Sequence, residues 1–224
     1  MNIKQSSLIV IVFLLSVKIA FTQTNRTDLG FEGGLGVIYL RGSDAVVKYQ
    51  QPAIGFCGGL FFQFNFKRIF SIRTCILSEK KGSATDLILT DSYGRTVQDL
   101  KLKTNLYYVT LPVLIRATFG KKSKFFLNGG PYIGYLIWQP SEVSLGVTLS
   151  NTAPLKKFDM GITTGLGFSI PIKSKSAFSI EIRHNLGLYN INPVLSSNNE
   201  TIKTNSANLI LSYTRKLGFR NKTN

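Results

Sequence analysis

The sequence predicts an all-β chain: an eight-stranded antiparallel up-and-down transmembrane β-barrel, preceded by a cleaved signal peptide. Three observations predict it. After the leader, apolar residues recur with period two, and in no window at i, i+3, i+4 and i+7 over three turns. The connections between alternating segments are short at one end and long at the other. The chain also opens on an export leader.

The leader is MNIKQSSLIVIVFLLSVKIAFTQ, with Lys4 in a basic start, an apolar run from Leu8 to Val17, and the small residues Ala20 and Thr22 before Gln23. This pattern predicts cleavage after Thr22, leaving residues 1–22 as the signal and 23–224 as the barrel domain. A membrane-anchoring helix is the rival reading, but the run falls short of about 20 residues and Lys18 interrupts it. No cysteine sits at the cleavage point to carry a lipid. The rest is rich in aromatic and β-branched residues and glycine, the composition of strands and turns.

Eight alternating segments follow, near 28–40, 53–65, 69–82, 104–119, 124–138, 157–170, 177–190 and 204–216. The first two, DLGFEGGLGVIYL and AIGFCGGLFFQFN, are loose because glycines interrupt both faces. The third carries Arg73 and Cys75 on one parity. In the fourth, Val109, Leu111, Val113, Ile115 and Ala117 oppose Tyr108, Thr110, Pro112 and Arg116. In the sixth, Phe158, Met160, Ile162, Leu166 and Phe168 oppose Asp159, Gly161, Thr163, Gly165 and Ser169. In the seventh, Phe178, Ile180, Ile182, Leu186 and Leu188 oppose Ser179, Glu181, Arg183 and Asn185. The fifth and eighth alternate as cleanly. A closed barrel in lipid turns its apolar face outward and lines its interior with the small polar face, because no strand edge can stay unpaired in hydrocarbon.

The same parity predicts that Glu32, Arg73, Arg116, Asp159, Glu181 and Arg183 all point into the lumen. Charges confined there must pair, since an unpartnered one is costly. A gated ion path and a set of salt bridges fixing strand register are both open readings, and the second is preferred.

Three tight turns carry Lys67, Arg68, Lys121, Lys122, Lys124, Lys173 and Lys175 without an acid, within a net charge of +16. Acids are assigned to strands or to the long loops, among them Asp44, Glu79, Asp86, Asp91, Asp99, Glu142 and Glu200. This predicts a cationic periplasmic rim against the anionic head groups of outer-membrane lipids. Lysines that merely solubilise the turns are the plainer alternative. Nucleic acid is not an expected partner of an exported chain whose basic residues lie in turns rather than among stacking aromatics. The third and fourth segments keep alternating toward DSYGR, which predicts a hairpin rising beyond the membrane with Tyr93 and Arg95 at its exposed tip.

Cys57 and Cys75 are the only cysteines. A hairpin centred on Phe66 would set them directly opposite on the inward face, either bonded or as two buried thiols.

YVTLPVLIRATFGKKSKFFLNGGPYIGYL, FDMGITTGLGFSIPI and FSIEIRHNLGLYNI together resemble the outer-membrane β-barrel proteins of the Bacteroidota, termed porin-like or PorT-like. The resemblance rests on Leu111-Pro112, the lysine turn from Lys121 to Lys124, Gly130-Pro131-Tyr132, Asp159 with Gly161, Gly165 and Gly167, and Leu211 to Tyr213. It implies architecture and an outer-membrane location more than an activity.

No GxSxG, HExxH or phosphate-binding loop is present, and the single histidine, His184, falls on the outward set. No enzyme activity, cofactor or metal site is expected. The leading expectation is a structural or partner-binding role through the extracellular loops, toward another envelope protein or a secretion component. A small diffusion porin, an outer-membrane lipid-modifying enzyme and, at the level of fold, a soluble secreted β-protein are the alternatives.

Overall fold

In the computed structural model, residues 27–44, 48, 50–67, 69–90, 93, 96–120, 123–143, 147–149, 155–173, 175–193 and 201–217 are described. The expected leader, residues 1–22, lies outside them. Eleven strands run in order: β1 (Thr27–Gly42), β2 (Gln50–Gln51), β3 (Ala53–Asn65), β4 (Phe70–Thr90), β5 (Thr96–Phe119), β6 (Lys124–Trp138), β7 (Ser141–Val143), β8 (Val147–Leu149), β9 (Phe158–Lys173), β10 (Ser176–Gly187) and β11 (Ile202–Lys216). Eight of them close antiparallel as β1-β3-β4-β5-β6-β9-β10-β11, with β11 returning to β1. No helix among the described residues is long and apolar enough to cross a membrane.

Closure fixes the dimensions. Stepping across paired residues from Thr27 through Phe64, Ile72, Ile115, Gly129, Thr164, His184 and Ala207 returns to β1 at Val37, ten residues along. Eight strands with that stagger tilt by about 40° and enclose a backbone radius of about 8 Å. Such an interior holds side chains and little else.

Outside, the alternation sets an apolar belt. Leu35, Leu60, Ile76, Leu111, Ile133, Ile162, Ile182 and Leu209 are all exposed. On β5 the belt runs from Val109 to Phe119, a height of about 25 Å along the barrel axis. Aromatic pairs mark both borders: Tyr107 stacks on Trp138 at 5.1 Å and Tyr135 meets Phe158 at 5.3 Å near the long loops, while Phe31 stacks on Tyr213 at 5.5 Å near the turns. The turns are tight. Gly120 ends β5 at a φ of +104°, where a Cβ would lie 2.3 Å from the Ser123 carbonyl oxygen.

Beyond the belt, β4 and β5 stay paired to Thr90 and Thr96. The short β2 adds to β4, β7 adds to β5 and β8 to β7, so one wall of the barrel continues as a sheet past the membrane. Tyr93 at its tip is 88% exposed; Arg95 lies outside the described residues.

The register corrects the cysteine arrangement. Residues 66–69 connect β3 to β4, so the hairpin centres two residues beyond Phe66. Cys57 therefore faces Glu79, and Cys75 faces Phe61. Both are buried free thiols, separated by four residues of ladder, roughly 13 Å and outside disulfide range. Each fills the inner face of the wall as a small, weakly polar side chain.

Two outcomes follow from this fold. Labelling under denaturing, non-reducing conditions should count two free thiols per chain; none would require the sheet register to differ. Protease added to intact cells should nick near Arg95, whereas cuts that appear only after outer-membrane lysis would invert the topology.

Candidate functional site

The lumen is where the inward residues converge. Glu32 on β1 accepts from Arg73 on β4 and, at 2.6 and 3.3 Å, from Nη1 and Nη2 of Arg183 on β10. Arg183 also donates to Glu181 at 2.6 Å through Nε and 3.1 Å through Nη2. Glu181 in turn accepts from Arg116 on β5 at 3.3 Å. The result is one chain of alternating charge, Arg73–Glu32–Arg183–Glu181–Arg116, whose five members are all buried. Aromatic rings flank its ends: Phe61 lies 3.4 Å from the Arg73 guanidinium and Phe126 lies 3.8 Å from that of Arg116.

Inward glycines make the room. Gly165, opposite Arg183 in the ladder, would place a Cβ 2.6 Å from the Glu181 carboxylate. A side chain there would displace the acid that two arginines share.

Asp159 does not join this chain, which corrects the six-charge network read from parity. It accepts from Lys81 at 2.9 Å, from Thr204 at 2.7 Å and from the Tyr132 hydroxyl at 3.2 Å. Lys81 also lies 3.7 Å from Glu79, which accepts from Asn185 at 2.8 Å and Ser206 at 3.0 Å. The Lys81 ammonium sits 4.2 Å from the Tyr132 ring. Sequence reasoning missed Lys81 and assigned Glu79 to a long loop. Both are buried and inward, and the signal was their odd number, shared with Arg73 on the same strand.

Above this second group the lumen turns apolar. Leu40, Leu106, Tyr108 and Leu136 pack with Ile191, which is wholly buried although it belongs to the connection after β10. Backbone bonds hold that segment in the mouth: Ile191 N–H donates to the Ile202 carbonyl at 2.8 Å, and Lys156 N–H donates to the Ile191 carbonyl at 2.9 Å.

At the turn end, Lys67 and Lys175 are exposed and Lys124 is half-buried. Arg68, Lys121 and Lys122 lie outside the described residues, as does the side chain of Lys173. Among the described residues no group of three or more His, Cys, Asp or Glu is arranged to hold a metal ion.

A family model described as outer membrane protein beta-barrel domain matches residues 20–192, and the chain belongs to that family. Neisserial surface protein A, from Neisseria, superposes with a TM-score of 0.51 at 12% identity, over 85% of this chain and 97% of that one. OprG from Pseudomonas aeruginosa gives a TM-score of 0.41 at 10% identity, over 88% and 98%. Ail, the attachment invasion locus protein of Yersinia pestis, gives 0.41 at 10% identity, over 84% and 99%. No curated protein sequence matches the chain. The first of these likenesses shows the fold alone; the family places the protein in the outer membrane.

Removing a carboxylate from the five-member chain leaves buried guanidinium charge without a counter-ion. Glu32→Gln should lower unfolding stability in lipid vesicles by about 3–5 kcal/mol, measured by urea titration. Lys175→Gln, at the exposed rim, should stay within about 0.5 kcal/mol.

Proposed function

We propose that this outer-membrane barrel does not conduct solute, and that it serves a structural or partner-binding role through its long-loop end. The observation that carries the reading is the continuous Arg73–Glu32–Arg183–Glu181–Arg116 chain across the lumen. An ion crossing it would have to separate charges that hold each other in a medium of low polarity. The cluster around Ile191 supports the same reading, since its leucines and isoleucine offer a hydrated ion little to replace its water.

With the interior committed to pairing, the surfaces left for function are the belt and the two ends. Outer-membrane lipids contact the belt, and their anionic head groups attract the lysines of the turn end. The sheet continued by β4 and β5 presents backbone and loop surface outside the membrane, suited to another envelope protein or a secretion component. Kinship with the porin-like or PorT-like barrels of the Bacteroidota is the finer reading, supported by Leu111-Pro112, Gly130-Pro131-Tyr132 and the Asp159–Gly161 strand. Export with cleavage after Thr22 completes it, and Edman sequencing of the mature protein should begin at Gln23.

Planar bilayers test the central statement. Purified, refolded protein should give no stepwise current under applied voltage. Reproducible unit conductance from the wild-type chain would overturn the reading in favour of a small pore, and a changed lipid A mass spectrum in cells lacking the protein would point to an enzyme instead.

A further inference from the structure

The turn end of the lumen is not filled. A cavity of about 450 Å³ opens there, with Arg116 and Phe126 at its floor and Lys67, Lys124 and Lys216 around it. Among the described residues Asp28 is the only carboxylate lining it. That acid is already engaged, accepting from Asn65 at 2.9 Å and Gln63 at 3.5 Å. None of the three lysines has a carboxylate within ion-pair distance among the described residues.

Arg116 is under-neutralised in the same direction. Its one carboxylate partner, Glu181 at 3.3 Å, is held more closely by Arg183 at 2.6 Å. The chain carries three guanidinium groups on two carboxylates, and Arg116 is the member that borders the cavity. Beside it the Ser71 hydroxyl is buried, lines the cavity and has no hydrogen-bond partner. Four cations, one acid and an unused hydroxyl therefore surround solvent-accessible space within low-dielectric walls, which concentrates the field on whatever enters.

We propose that this vestibule binds a multivalent oxyanion, inorganic phosphate or a small phosphate monoester, from the periplasmic side. Arg116 donates through Nε to Asn128 at 2.8 Å and through Nη2 to Glu181 at 3.3 Å, which leaves Nη1 for one phosphate oxygen, and the lysines act as point charges around the remainder. The cavity volume admits a phosphorylated small molecule and excludes a folded partner. A lipid phosphate is the other source of the same chemistry. It would have to leave the outer surface, because Lys124 and Lys216 line the inside whereas their neighbours Phe125 and Leu217 are exposed outside.

The experiment uses the full refolded barrel in zwitterionic detergent at fixed ionic strength. Calorimetric titration with inorganic phosphate and with glucose 6-phosphate should show saturable one-site binding, while chloride shows none. A double variant, Lys124→Gln with Lys216→Gln, should weaken binding at least tenfold while keeping heat-modifiable migration on a gel. Lys175→Gln, at the same end but outside the cavity, should bind as the wild type does. Three results would overturn the proposal: no saturable binding, an unchanged affinity in the double variant, or an equal loss in Lys175→Gln. Binding seen only with vesicles containing anionic lipid would also overturn it and assign the lysines to head groups.

Discussion

Every backbone amide in hydrocarbon must find a partner within the chain, and the rest of this structure depends on that constraint. It forces eight strands into a closed ladder, because an open edge would leave a row of unpaired donors and acceptors in lipid. Closure with a ten-residue stagger then sets a radius of about 8 Å. At that width inward side chains reach past their ladder neighbours. Arg183 on β10 touches Glu32 two strands away on β1, and Lys81 on β4 touches Asp159 three strands away on β9. Ion pairing across the lumen is a consequence of barrel diameter as much as of sequence.

The charges balance in a particular way. Between the vestibule and the apolar mouth stand Arg73, Arg116, Arg183 and Lys81 against Glu32, Glu181, Glu79 and Asp159, all buried. Four cations meet four anions, yet they separate into two groups. The group nearer the turns has three arginines on two glutamates, and the group nearer the loops has one lysine between two acids. These two groups taken together are neutral, which limits the self-energy of burying so much charge. The surplus positive charge nevertheless falls toward the turns, the same end at which the tight turns place their lysines.

Much of this was legible in the sequence because period two is a strict code. Once Phe158 and Ile162 are known to face lipid, Asp159 and Thr163 must face inward, and from Phe158 to Ile170 exposed positions alternate with buried or half-buried ones. Strand parity depends only on counting along one chain. Pairing between strands depends also on where a turn is centred. That is why the inward direction of Cys57 and Cys75 was readable while their mutual register was not: moving the centre two residues past Phe66 shifts each partner by four. Glu79 and Lys81 were missed for a related reason. Their strand continues beyond the membrane, and nothing in the residues marks where the lumen ends and the loop begins. Ile191 left no signal at all. An apolar residue in an irregular connection acquires its role from a segment that folds back into the mouth, and that is a tertiary fact.

The two ends of the barrel consequently differ in kind. At the loop end, leucines, Tyr108 and Ile191 bury apolar surface against one another, an arrangement that excludes water and is indifferent to charge. At the turn end the same inward positions are held by Asp28, Gln63, Lys124 and Lys216, and space remains between them. On the reading proposed above, an apolar cluster at the mouth and an open cationic base make a cup rather than a tube. The distinction bears on function because a tube acts by what passes through it, whereas a cup acts by what it holds on one side and what it displays on the other. The ion-pair chain then has a second use beyond fixing register. As the floor of the cup, it turns Arg116 toward the periplasm while Arg73 and Arg183 stay committed to glutamates, so one buried network supports the wall and supplies the charge that the vestibule presents.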